Sequence, residues 1–290
     1  MNTTFFELPS PFETELGLVR LLEPPTSDAD LLSDQLRRGT YGRPFLVESD
    51  GVLTLYFTLS LVQSSMQLNR PDHLDLAYTR KMMAFLPFYP RPKGLLLLGM
   101  GGGSLAKFCY RHLSRADITV VEIDPDVIAF RDAFRVPADN DRFRILCADA
   151  AAYLPTHTSR TDVILVDAFD GLGIAPELSS PEFYANAYAK LSANGILVMN
   201  LAGDKAGFDD PLAQLAHCFD DRVLSLKVRD GGNQIAFAFK TPDFLPVWDR
   251  LRPTAIELER KLGLEFVWYL EMLQKNERRQ LSLPRRFRDR

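Results

Sequence analysis

In this chain glycines and carboxylates recur at the ends of short apolar runs, at a spacing that suits a bound nucleoside. The run LLLL (95–98) opens directly into Gly99-Met100-Gly101-Gly102-Gly103. A glycine turn between a strand and a helix lets backbone amides approach a ligand with no Cβ in the way. A little over twenty residues beyond Gly99, the next run ends in Val121-Glu122-Ile123-Asp124, where a carboxylate can accept hydrogen bonds from both hydroxyls of a ribose. The third run ends in Ala148-Asp149-Ala150, and an acid there can accept from an adenine amino group. The fourth ends in Asp167-Ala168-Phe169-Asp170, two acids able to take a proton from an attacking amine or to hold a cation by charge-assisted hydrogen bonds. Taken singly, Asp124 and Asp149 are also ordinary helix N-caps, and Asp170 is an ordinary loop cap. Three successive strand ends that each carry the fitting residue argue for a ligand site, with Glu122 and Asp149 both expected to face solvent.

Other chemistries find less support. His73, His112, His157 and His217 are scattered, with no Ser or Cys partner in a nucleophile elbow, so no hydrolytic triad is expected. Cys109, Cys147 and Cys218 lie far apart, with neither a disulfide framework nor a zinc-ligand spacing. No metal is expected.

The elements that must position these residues follow from the patterning. The runs at 95–99, 119–123, 143–149, 163–168 and 195–201 alternate with helical stretches at 105–112, 125–134 and 181–191, which is the βαβ signature of a doubly wound parallel sheet. RVLSLKV (222–228) and QIAFAFK (234–240) flank Asp230-Gly231-Gly232-Asn233, a hairpin turn that predicts an antiparallel end to the sheet. Ahead of the proline-rich FYPRPKG connector, PFLVE and VLTLYFTLSLV read as strands separated by the turn Ser49-Asp50-Gly51, and 78–86 reads as a helix. The expected organisation is a β-rich segment and helix over 1–92, a Rossmann-like nucleoside-binding domain over 93–240, and one helix (255–274) with a basic tail over 241–290. That tail carries Arg278, Arg279, Arg285, Arg286, Arg288 and Arg290.

A chain of 290 residues with 46% hydrophobic and 25% charged residues has the composition of a globular enzyme. Its net charge of -4 argues against a nucleic-acid partner, since phosphate binding concentrates Lys and Arg. No segment approaches the length of a membrane span and the N-terminus lacks a signal-peptide pattern, so a reducing cytoplasm is expected.

The glycine loop, VEID, ADA, the Asp167–Asp170 pair, Gly173-Ile174-Ala175 and ELSSPEFY (177–184) stand in the order and spacing of the spermidine synthase family. DLAYTRKM, centred on Tyr78, resembles that family's gate segment, and the similarity spans about 51–201. The resemblance implies a small N-terminal β-domain on a methyltransferase-type Rossmann-like α/β sheet. It implies aminopropyl transfer from decarboxylated S-adenosylmethionine to a putrescine-like polyamine, with release of methylthioadenosine by a cytoplasmic homodimer. In those terms Glu122 holds the ribose, Asp149 and Ala150 meet the adenine, and Gly99, Gly101 and Gly103 shape the loop under the donor. Asp167 is the catalytic base, and Asp170 and Tyr78 position the amine.

The match is incomplete. Gly102 stands where the family carries an Asp facing the donor's amino tail, which implies weaker discrimination against S-adenosylmethionine itself. Thr79 and Arg80 replace the family's Gln or His and Glu, and Gly171 and Ile174 replace prolines. An S-adenosylmethionine-dependent methyltransferase acting on a small acceptor is therefore the alternative.

Overall fold

The computed structural model describes residues 4–13, 16–58, 61–170, 173–202, 205–228, 232–242 and 244–282. Gly171, the Asp230-Gly231 half of the expected turn and the arginines at 285–290 lie outside the described residues, as do the side chains of Asp170, Ile174, Arg278 and Arg279.

The N-terminal segment forms a five-stranded antiparallel sheet in chain order: β1 (Phe6–Pro9), β2 (Leu18–Leu21), β3 (Phe45–Ser49), β4 (Val52–Thr58) and β5 (Leu61–Gln67), with α1 (Ala29–Arg38) between β2 and β3. The β3–β4 turn is the expected one. Ser49 pairs with Val52, and the two residues between them, Asp50 and Gly51, have φ of 50° and 75°, as a twist-matched two-residue hairpin requires. VLTLYFTLSLV, expected as one strand, instead folds back on itself as β4 and β5. A run without Gly, Pro or Asn gives no sign of this pairing, and residues 59–60 lie outside the described residues.

Both faces of this sheet are covered, which explains its nearly continuous apolar sequence. Leu21, Val47 and Tyr56 pack beneath Leu32 and Leu36 of α1. From the other face Leu46, Leu55 and Met66 join a core that reaches Leu105 and Phe108.

The segment carrying Tyr78 is α2 (Ala77–Met82), followed by a 3₁₀ turn at Met83–Phe85. Beyond it come β6 (Gly94–Leu98), α3 (Ser104–His112), β7 (Asp117–Glu122), α4 (Pro125–Ala129), β8 (Phe143–Cys147), α5 (Ala150–Thr156) and β9 (Thr161–Val166). A two-residue ribbon, β10 (Phe169–Asp170) with β11 (Gly173–Ile174), precedes α6 (Pro181–Lys190), β12 (Leu191–Ala202), α7 (Lys205–Cys218), β13 (Val223–Lys227) and β14 (Asn233–Phe239). The seven-stranded sheet has the order β13-β14-β12-β9-β6-β7-β8. Its strands β12, β9, β6, β7 and β8 are parallel, and β14 runs antiparallel to both its neighbours. Alternate leucines of β6 serve different cores, Leu95 and Leu97 on one face and Leu96 and Leu98 on the other, so the strand is apolar throughout. After β6 the chain builds outward through β7 and β8, then returns to β9 on the other side of β6. The carboxyl ends of β6 and β9 therefore flank the crevice where open α/β sheets take ligands.

Two helix expectations are corrected. α4 stops at Ala129, five residues short of Phe134, and a series of turns follows it. The single C-terminal helix is two, α8 (Trp248–Leu262) and α9 (Phe266–Ser282). Gly263, at φ 69°, caps α8 and turns the chain so that Phe266, Tyr269, Leu270 and Leu273 of α9 are buried in the main core. No helix among the described residues is long and apolar enough to cross a membrane.

Candidate active site

Gly99 directly follows β6 at φ 97°, and a Cβ on it would overlap the carbonyl oxygen of Asp167. Only glycine lets the two strand ends approach this closely. Its N–H donates to Val121 O at 2.8 Å and Asp167 N–H donates to Leu98 O at 2.9 Å, so the tips of β7, β6 and β9 are tied together. Gly101 and Gly103 complete the turn into α3.

Glu122, the last residue of β7, is 9% exposed rather than solvent-facing. Its Oε2 accepts from Met100 N at 2.8 Å and its Oε1 from Asp124 N at 3.0 Å. The carboxylate thus fastens the glycine loop to the end of β7 while each oxygen keeps a further lone pair. Asp124 caps α4 through Asp126 N, and Ile123 beside it is 64% exposed. Asp149 is exposed, as expected, and caps α5, its Oδ1 accepting from Ala152 N at 2.9 Å; Ala150 is the first residue of that helix.

Asp167 stands just past β9. Its Oδ2 accepts from the Tyr78 hydroxyl at 3.2 Å and its Oδ1 from Asn200 Nδ2 at 2.9 Å. Burial pushes the carboxyl up to about 6, while the two donors pull it back down. The Tyr78 hydroxyl is raised well above its ordinary value, by burial first and by the Asp167 charge second. Asn200, near the end of β12, is 1% exposed, and its Oδ1 accepts from Asn233 Nδ2 at 2.9 Å. The two asparagines escaped the sequence reading. Asn200 carried a usable signal, a polar residue at the carboxyl end of an otherwise apolar strand. Asn233 was read only as part of a turn. Asp170 pairs through its backbone with Gly173.

The departures have structural counterparts. A Cβ on Gly102 would lie 2.6 Å from Ser64 Oγ and 2.8 Å from the Phe134 ring, so the site of the missing carboxylate is packed, not open. Thr79 is 2% exposed and donates to Leu76 O at 2.7 Å. Arg80 Nη1 donates to Leu74 O at 2.7 Å and also to Asp75 O, so this cation is fastened to the backbone that leads into α2. A separate cavity of about 1050 Å³ lies at the amino ends of the parallel strands, among Phe88, His112, Phe239, Phe244 and Leu258, away from all of these residues.

The domain described as the spermine/spermidine synthase domain matches residues 76–205. A polyamine aminopropyltransferase of Chromobacterium violaceum is 38% identical over 229 residues, which cover 78% of this chain and 87% of the relative. Among solved structures, a spermidine synthase in complex with the transition-state analogue AdoDATO superposes with a TM-score of 0.63 at 18% identity, covering 100% of this chain and 95% of that one. Human methyltransferase-like protein 13, solved with SAH, superposes with a TM-score of 0.60 at 26% identity over 65% of this chain and 93% of its own. The identity to the Chromobacterium violaceum relative holds over most of both chains and takes in the whole of the matched domain's core: the chain belongs to the spermine/spermidine synthase family, the polyamine aminopropyltransferases.

Proposed function

We propose that the chain moves the aminopropyl group of decarboxylated S-adenosylmethionine onto a primary amine of a putrescine-like polyamine, with Asp167 as general base. The observation that carries this reading is the half-buried Asp167 carboxylate at the β6/β9 crevice, held by Tyr78 and Asn200. A polyamine amine is protonated near neutral pH and must lose a proton to become a nucleophile. A carboxylate poised near 6 is ionised at pH 7 and still basic enough to assist that transfer. As the C–N bond forms, the C–S bond of the sulfonium breaks, its electron pair stays on sulfur as methylthioadenosine, and the amine's proton passes to Asp167.

On the donor side, the free lone pairs of Glu122 receive the ribose hydroxyls, and Asp149 has Oδ2 to offer the adenine amino group. Ile123, exposed between them, supplies an apolar face for the base. Gly99, Gly101, Gly103 and Ala150 bring backbone close to the nucleoside. Tyr78 stands at the amine's approach beside Asp167, and the family resemblance assigns Asp170 to the same role. With Ser64 and Phe134 packed against Gly102, position 102 offers no carboxylate to repel the amino-acid end of S-adenosylmethionine, which weakens selectivity for the decarboxylated donor. A homodimer in the cytoplasm completes the reading. The free thiols of Cys109, Cys147 and Cys218 suit a reducing compartment.

Incubation of wild type with each donor and with putrescine, cadaverine or spermidine, followed by product analysis, tests the proposal. Methylthioadenosine release with a lengthened polyamine is expected. A methylated acceptor with no methylthioadenosine would overturn it.

A further inference from the structure

The carboxylate of Asp167 can only accept, so Asn200 must turn its NH₂ toward it and its carbonyl away. That carbonyl then needs a donor, and Asn200, 1% exposed, has little water to supply one. The partner is built in. Asn200 pairs with Ile235 and Ala202 with Asn233 across the β12–β14 ladder, so Asn233 is a diagonal neighbour on the same face, and its Nδ2 reaches Asn200 Oδ1 at 2.9 Å.

We infer that Asn233 is a positioning residue for the transfer: by donating to Asn200 Oδ1 it fixes which end of the Asn200 amide meets Asp167, and so which lone pairs Asp167 turns toward the amine. The inference rests on Asp167 being the base. A reversed Asn200 amide would set a carbonyl oxygen against the carboxylate, and that repulsion would favour a protonated, inactive Asp167. Around Asp167, α2 contributes the Tyr78 hydroxyl, β6 the Leu98 carbonyl, β12 the Asn200 amide and, behind it, β14 the Asn233 amide. Among the described residues, Tyr78 is the one titratable side chain bonded to Asp167.

Asn233 lies at the first, half-exposed residue of β14, where substitution leaves the core intact. The test follows the Asp167 carboxyl carbon by NMR through a pH titration, in resting protein, for wild type, Asn233→Ala, Asn200→Ala and the double variant, with Asp167→Asn to assign the signal. Asn233→Ala is expected to raise the midpoint by about half a unit, Asn200→Ala by more, and the double variant no further than Asn200→Ala, because the two act in series. In turnover, the acid limb of kcat should move upward with that midpoint in Asn233→Ala, a loss of about threefold below pH 6, with the donor KM within about twofold. An unmoved midpoint in Asn233→Ala, or shifts that simply add in the double variant, would overturn the inference. Because the titration needs no turnover, it reads separately from any failure of wild type to transfer an aminopropyl group.

Discussion

The Tyr78 hydroxyl and the Asp167 carboxylate meet at 3.2 Å although 89 residues separate them. Tyr78 reaches the crevice from α2, ahead of the sheet, whereas Asp167 arrives at the end of the fourth parallel element, β9. The contact closes one side of the crevice with a residue that comes from outside the strand-end motifs. It leaves Asp167 with one donor from α2 and one, Asn200, from the sheet.

That pairing sets a pH dependence. The folded Asp167 carboxyl is raised to about 6 by burial, and its protonated form cannot accept a proton. kcat/KM should therefore hold near neutrality and fall about tenfold per unit as pH drops below about 6. Tyr78→Phe removes a donor to the carboxylate, so the limb should move upward. A limb that stays in place in Tyr78→Phe would show that this hydroxyl does not tune the base.

Glu122→Ala should weaken methylthioadenosine binding by about 1–3 kcal/mol and also lower the melting temperature. The same carboxylate satisfies Met100 N and Asp124 N inside the protein. Asp149→Ala should weaken binding similarly and cost about 1 kcal/mol of stability through its lost cap on α5. Calorimetric titration and melting curves separate the two effects. Unchanged affinity in both variants would contradict the donor assignment.

Gly102→Asp should not act as a simple restoration of the family carboxylate. Its Cβ meets Ser64 Oγ at 2.6 Å and the Phe134 ring at 2.8 Å, and overpacking of this kind costs about 1–3 kcal/mol. Wild type itself should bind S-adenosylmethionine and its decarboxylated form within about tenfold of each other, since position 102 presents no carboxylate to the carboxylated tail. Rejection of S-adenosylmethionine by several orders of magnitude in a competition titration would show that another group discriminates.

The sequence carried the parallel sheet and its strand-end acids because those features are local: a four-leucine strand, a glycine turn and an acid at each successive tip leave their own signature. The burial of Glu122 was not legible, because it depends on the glycine loop folding back over the end of β7. Neither was the packing at Gly102, since Phe134 and Ser64 arrive from distant segments. Asn200 and Asn233 belong together only through the antiparallel register of β12 and β14, which no spacing along the chain announces. The β4–β5 fold-back was hidden because the run, strand-like throughout, holds no Gly, Pro or Asn. The break at Gly263 was signalled by its glycine and missed because the helical pattern resumes so soon after it.

Asp167→Asn tests the role of Asp167 most directly, because it keeps the shape of the side chain and its capacity to hydrogen-bond while removing its basicity. Turnover with decarboxylated S-adenosylmethionine and putrescine is followed as methylthioadenosine release, and donor affinity is measured alongside. Loss of general-base assistance should lower kcat on the order of a hundredfold to ten-thousandfold, with donor affinity changed by less than about twofold, since the proposed donor contacts are Glu122, Asp149 and the glycine loop. A variant that turns over like wild type would contradict the assignment of Asp167 as the base.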